Sequence, residues 1–254
     1  MSLSPSILDS KMPQKYLDLL LVGDRSAAKT MIETAVAGGA SAAMMLNDLV
    51  WPTMELIQAL YKEDRITQMQ LNLATRLNRQ ITDQLAAKLE ISEPNDRKVL
   101  IFCGDAEPEE LGGQIAADMF EAAGYTVRFG GGGVANDEIL KMVGDFRPDL
   151  LVMFATLPSG VPGVRKLIDY LRDVNSCPNM QTMCCGGIYK RAEGLAEEIG
   201  ADLYAADAAT AVEIAGNQQE RKANLDQQTV GRSRRMKKAA IRRGDRDESI
   251  AEAA

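Results

Sequence analysis

Two rhythms divide the chain. Between residues 14 and 90 apolar positions return every three or four residues, and from residue 98 they gather in short runs between amphipathic stretches. YLDLLLVG predicts a short first helix closed by Gly23. Asp24 is placed to cap the next, RSAAKTMIETAVAGG, which stops at Gly38-Gly39. Ser41 opens SAAMMLNDLVWPTMELIQALYKED, whose apolar positions are Met45, Leu49, Met54, Ile57, Leu60 and Tyr61. Pro52 is expected to kink it or to start a new turn. ITQMQLNLATRLNRQITDQLAAKL is the last long helix. Four helices with short connections predict an antiparallel bundle over residues 1–90.

ISEPNDR, residues 91–97, has no periodicity and reads as a linker. After it, KVLIFC (98–103), YTVRFG (125–130), DLLVMFA (149–155), MQTMCC (180–185) and ADLYA (201–205) predict five strands. Helices are expected over 111–124, 134–145, 161–174, 190–199 and 207–216. Strictly alternating strands and helices predict a parallel, doubly wound α/β unit over 98–216, with DLLVMFA as the central strand because it is the most uniformly apolar. Residues 217–254 are poor in apolar residues and are expected to be a basic tail.

Composition narrows the chemistry. Of 254 residues, 46% are hydrophobic and 26% charged, an ordinary globular balance. No apolar run is long enough to span a membrane, and the N-terminus lacks a basic region followed by an apolar one. A cytoplasmic location is the expectation. The four cysteines include no Cys-x-x-Cys pair and are expected to be buried thiols in a reducing compartment. There is no histidine at all, which excludes His-dependent triads, His-ligated zinc or haem and imidazole acid–base catalysis. The net charge of −7 is uneven: residues 221–254 hold ten basic and five acidic residues, leaving 19 basic and 31 acidic elsewhere. An acidic body thus carries a basic tail, which either lies against that body or touches nucleic acid or an acidic partner.

Polar and glycine-rich loops fall at the carboxyl ends of the strands, where sheets of this type bind ligands. They are GDAEPEELGG (104–113), GGGG (130–133), ATLPSG (155–160) and CGGIY (185–189). Neither a Walker sequence nor a dinucleotide fingerprint is present. Glycine pairs and small residues on successive loops point to a broad, flat ligand.

The order of parts resembles the cobalamin-binding modules of corrinoid proteins, a family that includes methionine synthase, corrinoid methyl carriers and light-sensing B12 regulators. The resemblance covers roughly residues 15–215. It is strongest in CCGGIYKRAEGLAEEIGADLYAADAATAVEIA, where Gly186, Gly187, Tyr204 and Asp207 fall in place. It implies a four-helix cap followed by a flavodoxin-like doubly wound sheet of five parallel strands. It also implies a signature Asp-x-His-x-x-Gly, whose His ligates cobalt and whose Asp orients that His. The equivalent stretch keeps the spacing and Gly112, but Glu107 stands for the Asp and Glu109 for the His. A Ser-x-Leu loop beside the cofactor's nucleotide tail becomes Ala155-Thr156-Leu157, and the upper-face Trp and His of light-sensing relatives become Tyr61 and Asn72.

A carboxylate is a harder ligand than imidazole, and neighbouring Glu107, Glu109 and Glu110 repel one another, so this loop is expected to lie open to water. Three readings follow. The chain binds cobalamin as a sensor or regulator without a protein His, with the cofactor's own base, water or Glu109 below the cobalt. Alternatively it keeps the fold without cofactor as an interaction module, pairing with another protein or with itself. In the third reading it is a methyl-carrying corrinoid protein with altered ligation.

Overall fold

A computed structural model describes residues 11–175 and 177–223. The N-terminal helices are α1 (Met12–Val22), α2 (Arg25–Ala37), α3 (Ala42–Met45), α4 (Trp51–Lys62) and α5 (Gln68–Ala86). A π turn, Leu46–Val50, joins α3 to α4, so the two form one helical rod. The turn lies just before Pro52, whose missing N–H cannot continue an α-helical ladder, and the wider turn absorbs the mismatch. The cap at Asp24 stands where the sequence puts it, Ser41 caps the segment it opens, and the last helix begins two residues later than expected, behind Thr67. Asp24 accepts from Ala27 N–H, Ser41 accepts from Met44 N–H, and Thr67 with Gln70 forms a capping box at the start of α5.

Five parallel strands follow: β1 (Lys98–Cys103), β2 (Thr126–Phe129), β3 (Leu150–Phe154), β4 (Gln181–Cys185) and β5 (Leu203–Ala205), in the order β2-β1-β3-β4-β5. Crossing over the faces are α6 (Glu107–Ala122), α7 (Asn136–Phe146), α8 (Val161–Val174), α9 (Gly187–Arg191), α10 (Leu195–Glu198) and α11 (Ala208–Asn217). The central strand is β3, buried along its whole length. Several expected boundaries move, two of them for a readable reason. The helix anticipated from residue 111 begins at Glu107, because Pro108 suits a first helical turn and three carboxylates there favour the positive end of the helix dipole. The helix anticipated over 190–199 is split into α9 and α10, with Gly194 between them in a left-handed conformation.

The pleat of β3 decides what faces the helical cap. Leu150, Val152 and Phe154 join a core shared with α6, α11 and the cap, while Leu151, Met153 and Ala155 join the core under α7 and α8. The first of these cores runs without interruption from Tyr16 in α1 to Ala215 in α11, so the cap and the sheet are packed on each other. Residues 91–97 are likewise fastened, with Ser92 N–H donating to Ala122 O at 2.7 Å and Asn95 N–H to Gly124 O at 2.9 Å. Of the bundle's methionines, Met45 and Met54 are core, whereas Met69 is 72% exposed. The basic run Arg232–Lys238 and Arg242-Arg243 lies outside the described residues.

Candidate functional site

The loops after β1, β3 and β4 meet the cap helix α4 around a cavity of about 290 Å³. Met54, Glu55, Pro108, Thr156, Leu157 and Arg191 are among the residues that line it. Polar contacts hold the cap to the loops here. Lys190 Nζ lies 3.9 Å from Glu55, Arg79 Nε donates to Glu107 at 2.8 Å, and Gln114 Nε2 donates to Asp83 at 3.0 Å.

The expected open carboxylate loop is corrected by the structure. Glu109 is 2% exposed. Its Oε1 accepts from the backbone N–H groups of Thr156 at 2.7 Å and Leu157 at 3.0 Å. The first turn of α6 swings this side chain across to β3, and the two donors compensate its loss of water. A side chain at Gly104 would collide with the same carboxylate. Glu107 does not orient Glu109; it points out to Arg79.

The remaining site residues divide by role. Ala155, Thr156 and Leu157 form the β3 loop, which Arg191 also grips through Thr156 O. Gly187 opens α9 under Glu55 and Arg191. Asp207 caps α11, accepting from Thr210 N–H at 2.8 Å, and Tyr204 is half-buried in β5. Both stand with the framework of the sheet and do not line the cavity. In the cap, Tyr61 Oη donates to Gln68 at 2.6 Å and Gln68 donates to Asn72 at 3.1 Å, so the two cap positions are joined through a third residue.

A residue that the sequence reading took only as part of an apolar strand fills the centre. The Phe154 ring lies between Gly112 and Gly186: a Cβ on Gly112 would run into its Cζ, and one on Gly186 would come within 2.9 Å of its Cε2. Trp51 meets the same ring edge-on, with centroids 5.5 Å apart at 86°. The available signal was the parity of β3, which puts Phe154 on the same face as Gly112.

Burial sets the acid–base character nearby. It pushes the Cys103 thiol up to about 12, helped by the carboxylates of Glu110 and Glu109, and the Cys184 thiol to about 12. Cys185 and Tyr189 are raised for the same reason. Among the described residues no three His, Cys, Asp or Glu side chains gather to hold a metal ion, and no helix is long and apolar enough to cross a membrane.

These residues do not fit a corrinoid held from below by the protein. One oxygen of Glu109, the residue that the resemblance sets in place of the ligand His, accepts from two backbone N–H groups, and the Phe154 ring fills the space between Gly112 and Gly186. The cavity is at the small end of the roughly 300–1,000 Å³ of small-molecule sites, and a corrinoid is larger than the ligands such sites take.

Two family profiles, both described as B12 binding domain, match the chain over residues 97–214 and 13–86. A corrinoid protein of Desulfitobacterium hafniense is 27% identical over 56% of this chain and 65% of its own length. Dimethylamine corrinoid protein 1 of Methanosarcina acetivorans is 26% identical over 42% of this chain and 50% of its own length. The chain thus spans less than two thirds of these curated relatives. The structure of the monomethylamine corrinoid protein of Methanosarcina barkeri superposes with a TM-score of 0.71 at 20% identity, covering 79% of this chain and 95% of that one. That likeness establishes the fold: an α/β flavodoxin-like sheet with a helical cap.

Proposed function

This chain belongs to the B12-binding domain family, a corrinoid-binding family, and on that premise we propose that it is a non-catalytic regulatory module that offers cobalt no ligand of its own. The observation that carries this is the commitment of Glu109 to Thr156 and Leu157, which leaves the side chain at the ligand position buried and bonded. A corrinoid would rest between the loops and the cap, against Met54, Glu55, Thr156, Leu157 and Arg191. The chain has no histidine, and the thiols at the strand ends are held protonated by burial, which supports a role without catalysis by the chain.

Regulation follows from where the ligand must enter. The polar ties Lys190–Glu55 and Arg79–Glu107 cross from the cap to the α/β part, and each partly exposed pair contributes only about 0–1 kcal/mol. A ligand that prefers the displaced cap shifts the population toward it. The readout would be a protein partner or a second copy of this chain.

A second reading, an interaction module that keeps the fold without cofactor, is favoured by the Phe154 ring and the small cavity. The methyl-carrier reading rests on the names of the relatives. Purified protein incubated with hydroxocobalamin and adenosylcobalamin, then desalted, separates the first two. Retained corrin absorbance near one equivalent is expected. Loss of all corrin colour would leave the cofactor-free module.

A further inference from the structure

We propose that Phe154 and Glu109 together seal the slot between α6, the β3 loop and the β4 loop, so that this chain excludes any flat ring that would pass into the carboxyl edge of the sheet. The seal has two parts. Glu109 stitches the first turn of α6 to the β3 loop with two hydrogen bonds. Phe154 occupies the space that Gly112 and Gly186 leave by having no side chains, and Trp51 closes the cap side of its ring. Gly186 holds φ 111°, a conformation that keeps the β4 loop against the ring and suits glycine alone.

The consequence is a specificity. A corrinoid that must thread its nucleotide base into the sheet is refused, and one that carries its base on the metal, or has none, is not. This deepens the corrinoid reading, although the seal itself does not depend on it. The chain holds its own occupant: one phenyl ring stands where a flat heteroaromatic ring would otherwise go. Truncating it leaves an apolar void bounded by two glycines and an indole, and voids of that kind take up aromatic molecules of matching size.

The test uses benzimidazole as the probe and Trp51, the single tryptophan of the chain, as the reporter. Wild type, Phe154→Leu and Phe154→Ala are titrated while fluorescence and Tm are followed. Saturable binding with a raised Tm is expected for Phe154→Ala, and binding at least tenfold weaker for Phe154→Leu and wild type. Equal binding by wild type, or none by a folded Phe154→Ala, overturns the seal. Should Phe154→Ala not fold, Gly112→Ala decides through stability: it must destabilise wild type strongly and be rescued in the Phe154→Leu background, and equal cost in both overturns the seal. A parallel arm compares cobalamin with cobinamide, which lacks the nucleotide tail. Wild type should bind the two within about threefold, and Phe154→Leu should shift the ratio toward cobalamin. If no variant binds either corrinoid, the corrinoid reading falls while the benzimidazole result still judges the seal.

Discussion

Glu109 Oε1 accepts from Thr156 N–H at 2.7 Å, tying the first turn of the helix after β1 to the loop after β3. Because Leu157 N–H is held by the same oxygen, removing the carboxylate strands two backbone donors at once. Glu109→Ala should cost about 2–3 kcal/mol in urea unfolding, and Glu109→Gln, whose amide oxygen can still accept, about 1 kcal/mol. Equal, negligible losses would show that the loop does not depend on this residue.

Phe154 is the larger stake. Phe154→Ala should lose about 3–5 kcal/mol of stability, the usual cost of an emptied core aromatic site, and Phe154→Leu clearly less. Adding Gly112→Ala to Phe154→Leu should cost far less than adding it to wild type, since the methyl group then no longer meets a ring. A double-mutant cycle in urea gives the coupling directly.

Stability should fall as pH rises through the acid range. Burial first, then Glu121 and Asp83, raises the Asp118 carboxyl from 3.8 to about 6. The folded state therefore holds this proton more tightly than the unfolded chain does. The contribution is fully present below about pH 4 and is lost as pH passes through about 6. Asp118→Asn should flatten that part of the Tm profile between pH 4 and 7, and an unaltered profile would contradict the assignment.

Cys103 should resist alkylation. With its thiol raised from 9.0 to about 12, the thiolate fraction near neutrality falls roughly a thousandfold. In a Cys177→Ser background, iodoacetamide at pH 8 should modify Cys103 orders of magnitude more slowly in the folded protein than in urea, as read by mass spectrometry.

Much of the fold is legible in the sequence because its signals are local. The cap at Asp24, the opening at Ser41, the apolar run of β3 and the alternation of strands and helices each depend on a few neighbouring residues. The site is less legible because its decisive contacts are distant. The resemblance sets Glu109 in place of the family's ligand His but says nothing of its turn inward to residues 156 and 157, so a water-exposed loop was the natural expectation. Phe154 reads as ordinary strand core until the pleat and α6 set its ring between two glycines. Tyr61 and Asn72 were paired by resemblance, and Gln68, which joins them, carries no signal of its own.

The most direct test of a cobalt without a protein ligand is the electron paramagnetic resonance spectrum of cob(II)alamin bound to this chain. Since the sequence contains no histidine, axial imidazole-type nitrogen coupling can come only from the cofactor's own base. The expected spectrum shows the three-line nitrogen splitting of the base-on form, unchanged in Glu109→Gln. A spectrum without nitrogen splitting that changes in Glu109→Gln would make the carboxylate a ligand and contradict the account, as would the absence of any bound cobalt.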